Sequence, residues 1–190
     1  NEASIEFDID GIATINWSGF GGQISEDTAP TATIYEDLTE TGNFIRNRLT
    51  SLAITAADTT TFPGANSNGV YNVVLTGGSI TFTNNITFLT PETLGDVDKP
   101  LGHVTGTRTV GGSVTCYLNG EAGSSADLFS DLIGATTTIT NKFNLTFSIG
   151  GGILDGVPAV QFEMSNCHLE LPTHNIEDVI SLETTFHALP

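Results

Sequence analysis

Carboxylates are the reactive group this chain holds in quantity, with 22 Asp and Glu against five Lys and Arg in 190 residues. Asp8-Ile9-Asp10-Gly11 and Asp96-Val97-Asp98 set oxygen ligands on neighbouring positions, as calcium requires, but neither completes an EF-hand loop. Ordinary solvated turns are the stronger reading of both. A pair of acids for glycoside hydrolysis needs only spatial proximity, yet sugar rings are usually held by aromatics, and Trp occurs once and Tyr three times. The four histidines, His103, His168, His174 and His187, form neither an HExxH nor a His-x-His pattern. Adjacent residues on a strand point to opposite faces, so Cys167 and His168 are badly placed for joint ligation. A GxSxG elbow and a GxxxxGK phosphate loop are both missing. The residues therefore predict no enzyme, no metal site and no cofactor.

The charge balance narrows the partners. The formal net charge is −17, and the cations are Arg46, Arg48, Lys99, Arg108 and Lys142. Tight duplex binding requires cations that displace the counterions of the phosphate backbone, so it is excluded. Disorder is excluded too, because 38% of the chain is hydrophobic and acidic disordered chains are poor in apolar residues. The length suits one domain spanning 1–190. No apolar run approaches the roughly 20 residues that cross a bilayer, and the acidic first ten residues are unlike a signal peptide, so no membrane insertion is expected. Two cysteines, Cys116 and Cys167, are too few for a disulfide scaffold, and buried thiols are the favoured reading over a disulfide.

The elements that must carry any site are strands. The 29 threonines and 21 glycines favour strands and turns over helices. Ile5, Phe7 and Ile9 alternate with Glu6, Asp8 and Asp10, the period-two pattern of a half-buried strand. Further strands are expected at 12–17, 44–56, 70–76, 79–83, 86–89, 103–110, 113–118, 138–149, 157–171 and 178–189, with Gly77-Gly78 and Gly111-Gly112 as breaks. Long loops are expected at 18–43, 57–69 and 90–101. One segment has helical spacing: Leu128, Phe129, Leu132 and Ile133 follow Ser124 or Ser125 as N-cap, and Gly134 can close the end, predicting a helix over 124–133.

The run Gly102-His103-Val104-Thr105-Gly106-Thr107-Arg108-Thr109-Val110-Gly111-Gly112-Ser113-Val114-Thr115-Cys116-Tyr117-Leu118-Asn119, followed by that helix, resembles the major tail tube proteins of tailed bacteriophages. The terminal 176–190 and the opening 4–11 are similar to the last and first strands of that family. The resemblance implies a mainly β fold, a β-sandwich or barrel of the tail tube type with one short flanking helix. It also implies hexameric rings stacked into a tube in the virion tail, through which DNA leaves the capsid. Partners would be further copies of the chain, a tape measure protein and tail terminator or baseplate proteins, with no catalytic residues. The three long loops are candidates for ring contacts.

Charge agrees with a channel. Six copies at −17 carry a formal −102, against about 24 negative charges on the duplex crossing a subunit about 40 Å across. An acidic bore repels DNA and lets it slide. Glu163 and Glu183, on long alternating strands, are candidates to face that bore, with an ordinary solvated face as the competing reading. Arg46, Arg48, Arg108 and Lys142 are candidates to meet acids at subunit contacts. Another virion β-sandwich, such as a capsid decoration protein, or a calcium- or carbohydrate-binding module, remains the alternative.

Overall fold

The computed structural model describes residues 1–21, 50–89, 101–135, 142–151, 158–176 and 179–189. The expectations for 22–43, for Arg46 and Arg48, and for 90–100 and 138–141 fall outside these residues. Twelve strands and one helix are described: β1 Glu2–Asp8, β2 Thr14–Ser18, β3 Ser51–Ala56, β4 Val70–Val73, β5 Leu75–Thr83, β6 Ile86–Leu89, β7 Gly102–Thr105, β8 Thr109–Tyr117, α1 Ser125–Gly134, β9 Phe143–Gly151, β10 Pro158–Leu169, β11 Thr173–Ile176 and β12 Ile180–Ala188.

Ten strands form one antiparallel sheet in the order β2-β1-β5-β8-β12-β10-β9-β3-β4, with β11 also paired to β12. Alternation decides which face is buried. Ile5 and Phe7, Val114 and Cys116, Leu182 and Phe186, Leu145 and Phe147, and Leu52 and Ile54 all point to one side and form a common core. A single sheet can bury one face only by folding over on itself. The aromatic contacts show where it does so: Phe147 of β9 lies 6.0 Å from Phe7 of β1 and 5.5 Å from Phe186 of β12, and Phe82 of β5 lies 6.0 Å from Phe162 of β10. One layer is β2-β1-β5-β8-β12-β11 and the other is β10-β9-β3-β4, a β-sandwich as expected. The corner is β12, whose Ile180–Glu183 end pairs with β11 while Phe186, His187 and Ala188 pair with β10. The Thr184 hydroxyl donates to the Glu170 carbonyl at 2.7 Å and ties that corner.

The glycine pairs do not break the chain as expected. Gly77-Gly78 lies inside β5 and Gly111-Gly112 inside β8, on directly paired strands. A β-carbon at Gly112 would run into the Ser79 carbonyl oxygen and the Phe186 ring, and one at Gly78 would meet the Phe7 ring at 3.0 Å. Gly78 and Gly112 leave room for two core rings against the sheet. Other bounds shift as well. The stretch expected at 103–110 ends at Thr105 and resumes at Thr109, β9 runs through Gly150 to Gly151, and β11 lies where no strand was expected.

The helix lies one residue later than expected. Ser124 is its N-cap but its hydroxyl makes no capping bond. Instead the Asp127 carboxylate accepts from the Gly123 N–H at 2.8 Å, while the Ser125 hydroxyl donates to the Tyr117 carbonyl and accepts from Asn119 N–H, both at 2.8 Å. Gly134 is the last helical residue and Ala135 the C-cap, so glycine does not close the end. Leu128 and Leu132 are buried and cover the open end of the sandwich near β4. The loop 57–69 is irregular as expected, and it is pinned rather than loose. Phe62 packs on Phe143 at 4.8 Å, and the Gly64 N–H and the Tyr71 hydroxyl both donate to Asp131 Oδ2 at 2.6 Å.

Candidate functional site

The outer face of the first layer carries a pattern that the register makes explicit. One cross-sheet row reads Asp8, Gly77, Thr115, Glu183, Thr173, and the next reads Glu6, Ser79, Ser113, Thr185. A third reads Ser4, Thr81, Gly111, His187, His168. Side chains directly opposite on paired strands share a face, so Glu2, Glu6, Asp8 and Glu183 project from a carpet of Ser, Thr and Gly. No Lys or Arg occurs on β1, β5, β8 or β12. Asp8 and Glu183 are three strand steps apart, about 14 Å. The second layer differs: its outer face shows Gln161 and Glu163 on β10, Asn144, Thr146 and Ser148 on β9, and Ser51, Ala53 and Thr55 on β3. It holds one acid, and Gln161 donates to Glu163 at 2.9 Å.

The edges of the two layers also differ. The β4 edge is closed by its own chain, because Asn72 N–H donates to the Gly123 carbonyl at 2.9 Å and Asn66 N–H to the Val70 carbonyl at 3.1 Å. The first layer ends on β2 at one side and on β11 at the other, each with a single strand neighbour among the described residues. From β5 and β8 a second sheet, β6 paired with β7, extends as an arm. At its base Gly106 N–H donates to the Asn85 carbonyl, Asn85 Nδ2 to the Thr107 carbonyl and Arg108 Nε to Asn84 Oδ1. Phe20 stacks edge-on against Phe88 of the arm at 5.9 Å, and Leu89, Leu101 and Val104 are exposed there.

Catalytic groupings are poor. A cleft of about 330 Å³ between Phe7, Thr50, Val74 and Gly77 offers one carboxylate, Asp8, and no nucleophile paired with a base. Among the described residues no group of three His, Cys, Asp or Glu side chains is placed to hold a metal ion. Asp8 Oδ1 accepts from Ile9 N–H at 2.6 Å, so the first Asp-x-Asp stretch makes a hydrogen-bonded turn; Asp96 and Asp98 lie outside the described residues. Cys116 and Cys167 are free, and burial pushes both thiols up to about 11.

No protein-family model matches the chain. It is similar to Tail tube protein pb6 of Escherichia phage T5, with 34% identity along the whole of the chain. The chain is homologous to a phage tail tube protein. It spans 40% of that relative's length.

In this tail tube homologue the two candidate lumen acids do not come together. Glu183 lies on the first layer with Glu6 and Asp8, whereas Glu163 lies on the second layer, whose outer face points away. From the His168–His187 pair the two acids run in opposite directions, about 30 Å apart along the strands. Arg108 bonds an asparagine rather than an acid, and Lys142 is exposed with its carbonyl accepting from Ala57 N–H. The grouping of Glu183 with the β1 acids follows from register alone, which the sequence does not display. The edge strand β2 left a clearer mark: no charged residue occurs from Gly11 to Ser25.

Proposed function

We propose that this protein is a structural, non-enzymatic protomer of a phage tail tube, located in the virion tail, whose copies form closed, stacked rings around a DNA channel. The similarity along the whole of this chain to part of a tail tube protein carries this reading, and it favours a tail tube over a capsid decoration protein. The layer that lines the bore is the one bearing Glu2, Glu6, Asp8 and Glu183. A wall with four acids, many hydroxyls and no Lys or Arg repels phosphate at short range and offers little to hold it. Glu163 is the weaker lumen candidate, because the outer faces of two packed layers point apart.

Six copies are the proposed number. Six strands at about 4.8 Å spacing give about 29 Å of wall per copy, so six copies close a ring about 55 Å across at the backbone. The arm formed by β6 and β7, with its exposed Leu89, Leu101 and Val104, is the proposed contact to a neighbouring ring. Tape measure and terminator or baseplate proteins complete the proposed set of contacts. Electron microscopy of the concentrated protein tests the proposal: stacked rings with a central channel are expected, and a monomer at every concentration overturns it.

A further inference from the structure

An asparagine followed by glycine is open to attack on its own side chain, because glycine leaves the next peptide nitrogen unshielded and its backbone free to turn. Asn68-Gly69 and Asn119-Gly120 are the two such pairs in this chain. Sequence makes them equivalent, and the fold separates them. In the first pair the Gly69 N–H donates to the Asn66 carbonyl at 2.8 Å, and the Asn68 N–H donates to Asn66 Oδ1 at 2.9 Å. The Gly69 carbonyl in turn accepts from the Ala56 N–H at 2.9 Å, and Gly69 is held at a φ of 75°. The nitrogen that would attack is therefore engaged in a clamped turn.

In the second pair that nitrogen is free. No hydrogen bond engages the Gly120 N–H among the described residues, and a β-carbon on Gly120 would meet nothing within 4 Å. The Glu121 N–H donates to Asn119 Oδ1 at 3.0 Å. An asparagine side chain bonded to the backbone two residues on lies over the intervening peptide, so Cγ sits beside the Gly120 nitrogen. The same bond draws electrons from Cγ and favours attack there. Asn119 Nδ2 has no acceptor among the described residues, so nothing holds the leaving group.

We propose that Asn119 is a site of spontaneous deamidation, from which the fold protects Asn68. The Gly120 nitrogen gives its proton to solvent and bonds to Asn119 Cγ. The Cγ–Nδ2 bond then breaks, and Nδ2 leaves as ammonia with a proton taken back from solvent. Water opens the resulting cyclic imide at one of its two carbonyls, giving aspartate or isoaspartate, with no oxidant or reductant required. Each conversion adds one negative charge to the formal −17. The position matters because Asn119 leads into α1: its N–H donates to Ser125 Oγ at 2.8 Å and its carbonyl accepts from the Ala126 N–H at 3.1 Å. Aspartate keeps those bonds and sets its charge beside the helix N-terminus, where it is favourable. Isoaspartate adds a carbon to the main chain between β8 and α1 and displaces the first turn of the helix.

The test keeps the full chain in warm, mildly alkaline buffer and follows both pairs by peptide mass spectrometry, with isoaspartyl methyltransferase labelling to identify the isomer. In the native protein Asn119 should convert about tenfold faster than Asn68, the factor set by the hydrogen bond that Gly69 must first break. In denaturant the two should convert at similar rates, because the protecting turn is gone. Gly120→Ala, which has room for its methyl group, should slow conversion at Asn119 about tenfold and leave Asn68 unchanged. The isoaspartate form, separated by ion exchange, should unfold at a lower temperature than the aspartate form. Equal native rates, faster native conversion at Asn68, or a rate at Asn119 that Gly120→Ala does not alter overturns the proposal. An isoaspartate form as stable as the aspartate form overturns its effect on α1.

Discussion

Asp131 illustrates how much of this fold hangs on one carboxylate. Its Oδ2 accepts from the Tyr71 hydroxyl and the Gly64 N–H, both at 2.6 Å, so it ties α1 to β4 and to the 57–69 loop. The Tyr71 side chain is fully buried, and burial first, then the Asp131 hydrogen bond, raises its pKa far above the ordinary tyrosine value. Asp131→Ala leaves that hydroxyl unpaired, which costs about 1.5–3 kcal/mol for a charge-assisted bond. Thermal unfolding should fall by about 3–12 °C for a chain of this size, and Tyr71→Phe should lose less. The thiols make a second prediction. Cys116 and Cys167 sit near 11 in the folded protein against 9.0 when unperturbed, because burial disfavours the thiolate. Their contribution is complete below pH 9 and is lost as pH rises from 9 towards 11. Alkylation at pH 8 should be negligible in native buffer and complete in denaturant. Denaturant midpoints should fall between pH 9 and 11, and less so in a Cys116→Ala, Cys167→Ala variant. The preference for buried thiols was legible from the count of two cysteines; the role of Asp131 was not, since its partners lie 60 and 67 residues away.

At the scale of elements, local periodicity was informative and long-range contact was hidden. The alternation of Ile5 and Phe7 with Glu6 and Asp8 gives β1, and the spacing of Leu128 and Leu132 gives α1, since both patterns are short-range consequences of burying one face. Gly77-Gly78 and Gly111-Gly112 read as turns because glycine pairs commonly mark them. Here Gly78 and Gly112 are required by the Phe7 and Phe186 rings, brought against them by strands far away in sequence. That reason predicts a test. Gly112→Ala places a methyl group against the Ser79 carbonyl and the Phe186 ring, where neither neighbour can withdraw. Overpacking of this kind costs about 1–3 kcal/mol, to be read from denaturant unfolding. Gly120→Ala, in open space, should change little. The strand β11 went unforeseen because Thr173–Ile176 is only four residues long and every residue is exposed, so it has no burial alternation to display.

For the whole molecule, charge has to be read by position. Net charge excluded a DNA grip but could not say which acids face a channel, and Glu163 and Glu183 looked equivalent on two alternating strands. Registers separate them: Glu183 shares a layer with Glu2, Glu6 and Asp8, and Glu163 is on the other side of the sandwich. Screening makes the distinction measurable. At physiological salt the Debye length is about 8 Å, so an acid affects a passing phosphate only from the wall nearest to it. Replacing Glu6, Asp8 and Glu183 by their amides removes three charges per copy from that wall while leaving hydrogen-bonding groups that can hold phosphate. Particles carrying this triple change should assemble normally and release DNA more slowly, with the defect growing as the salt concentration is lowered. Glu163→Gln alone should release DNA at the parental rate, because in the proposed orientation its charge lies a full layer away from the channel. Release followed by dye fluorescence would show which layer faces the DNA: slowing by Glu163→Gln and not by the triple change would turn the subunit around in the ring.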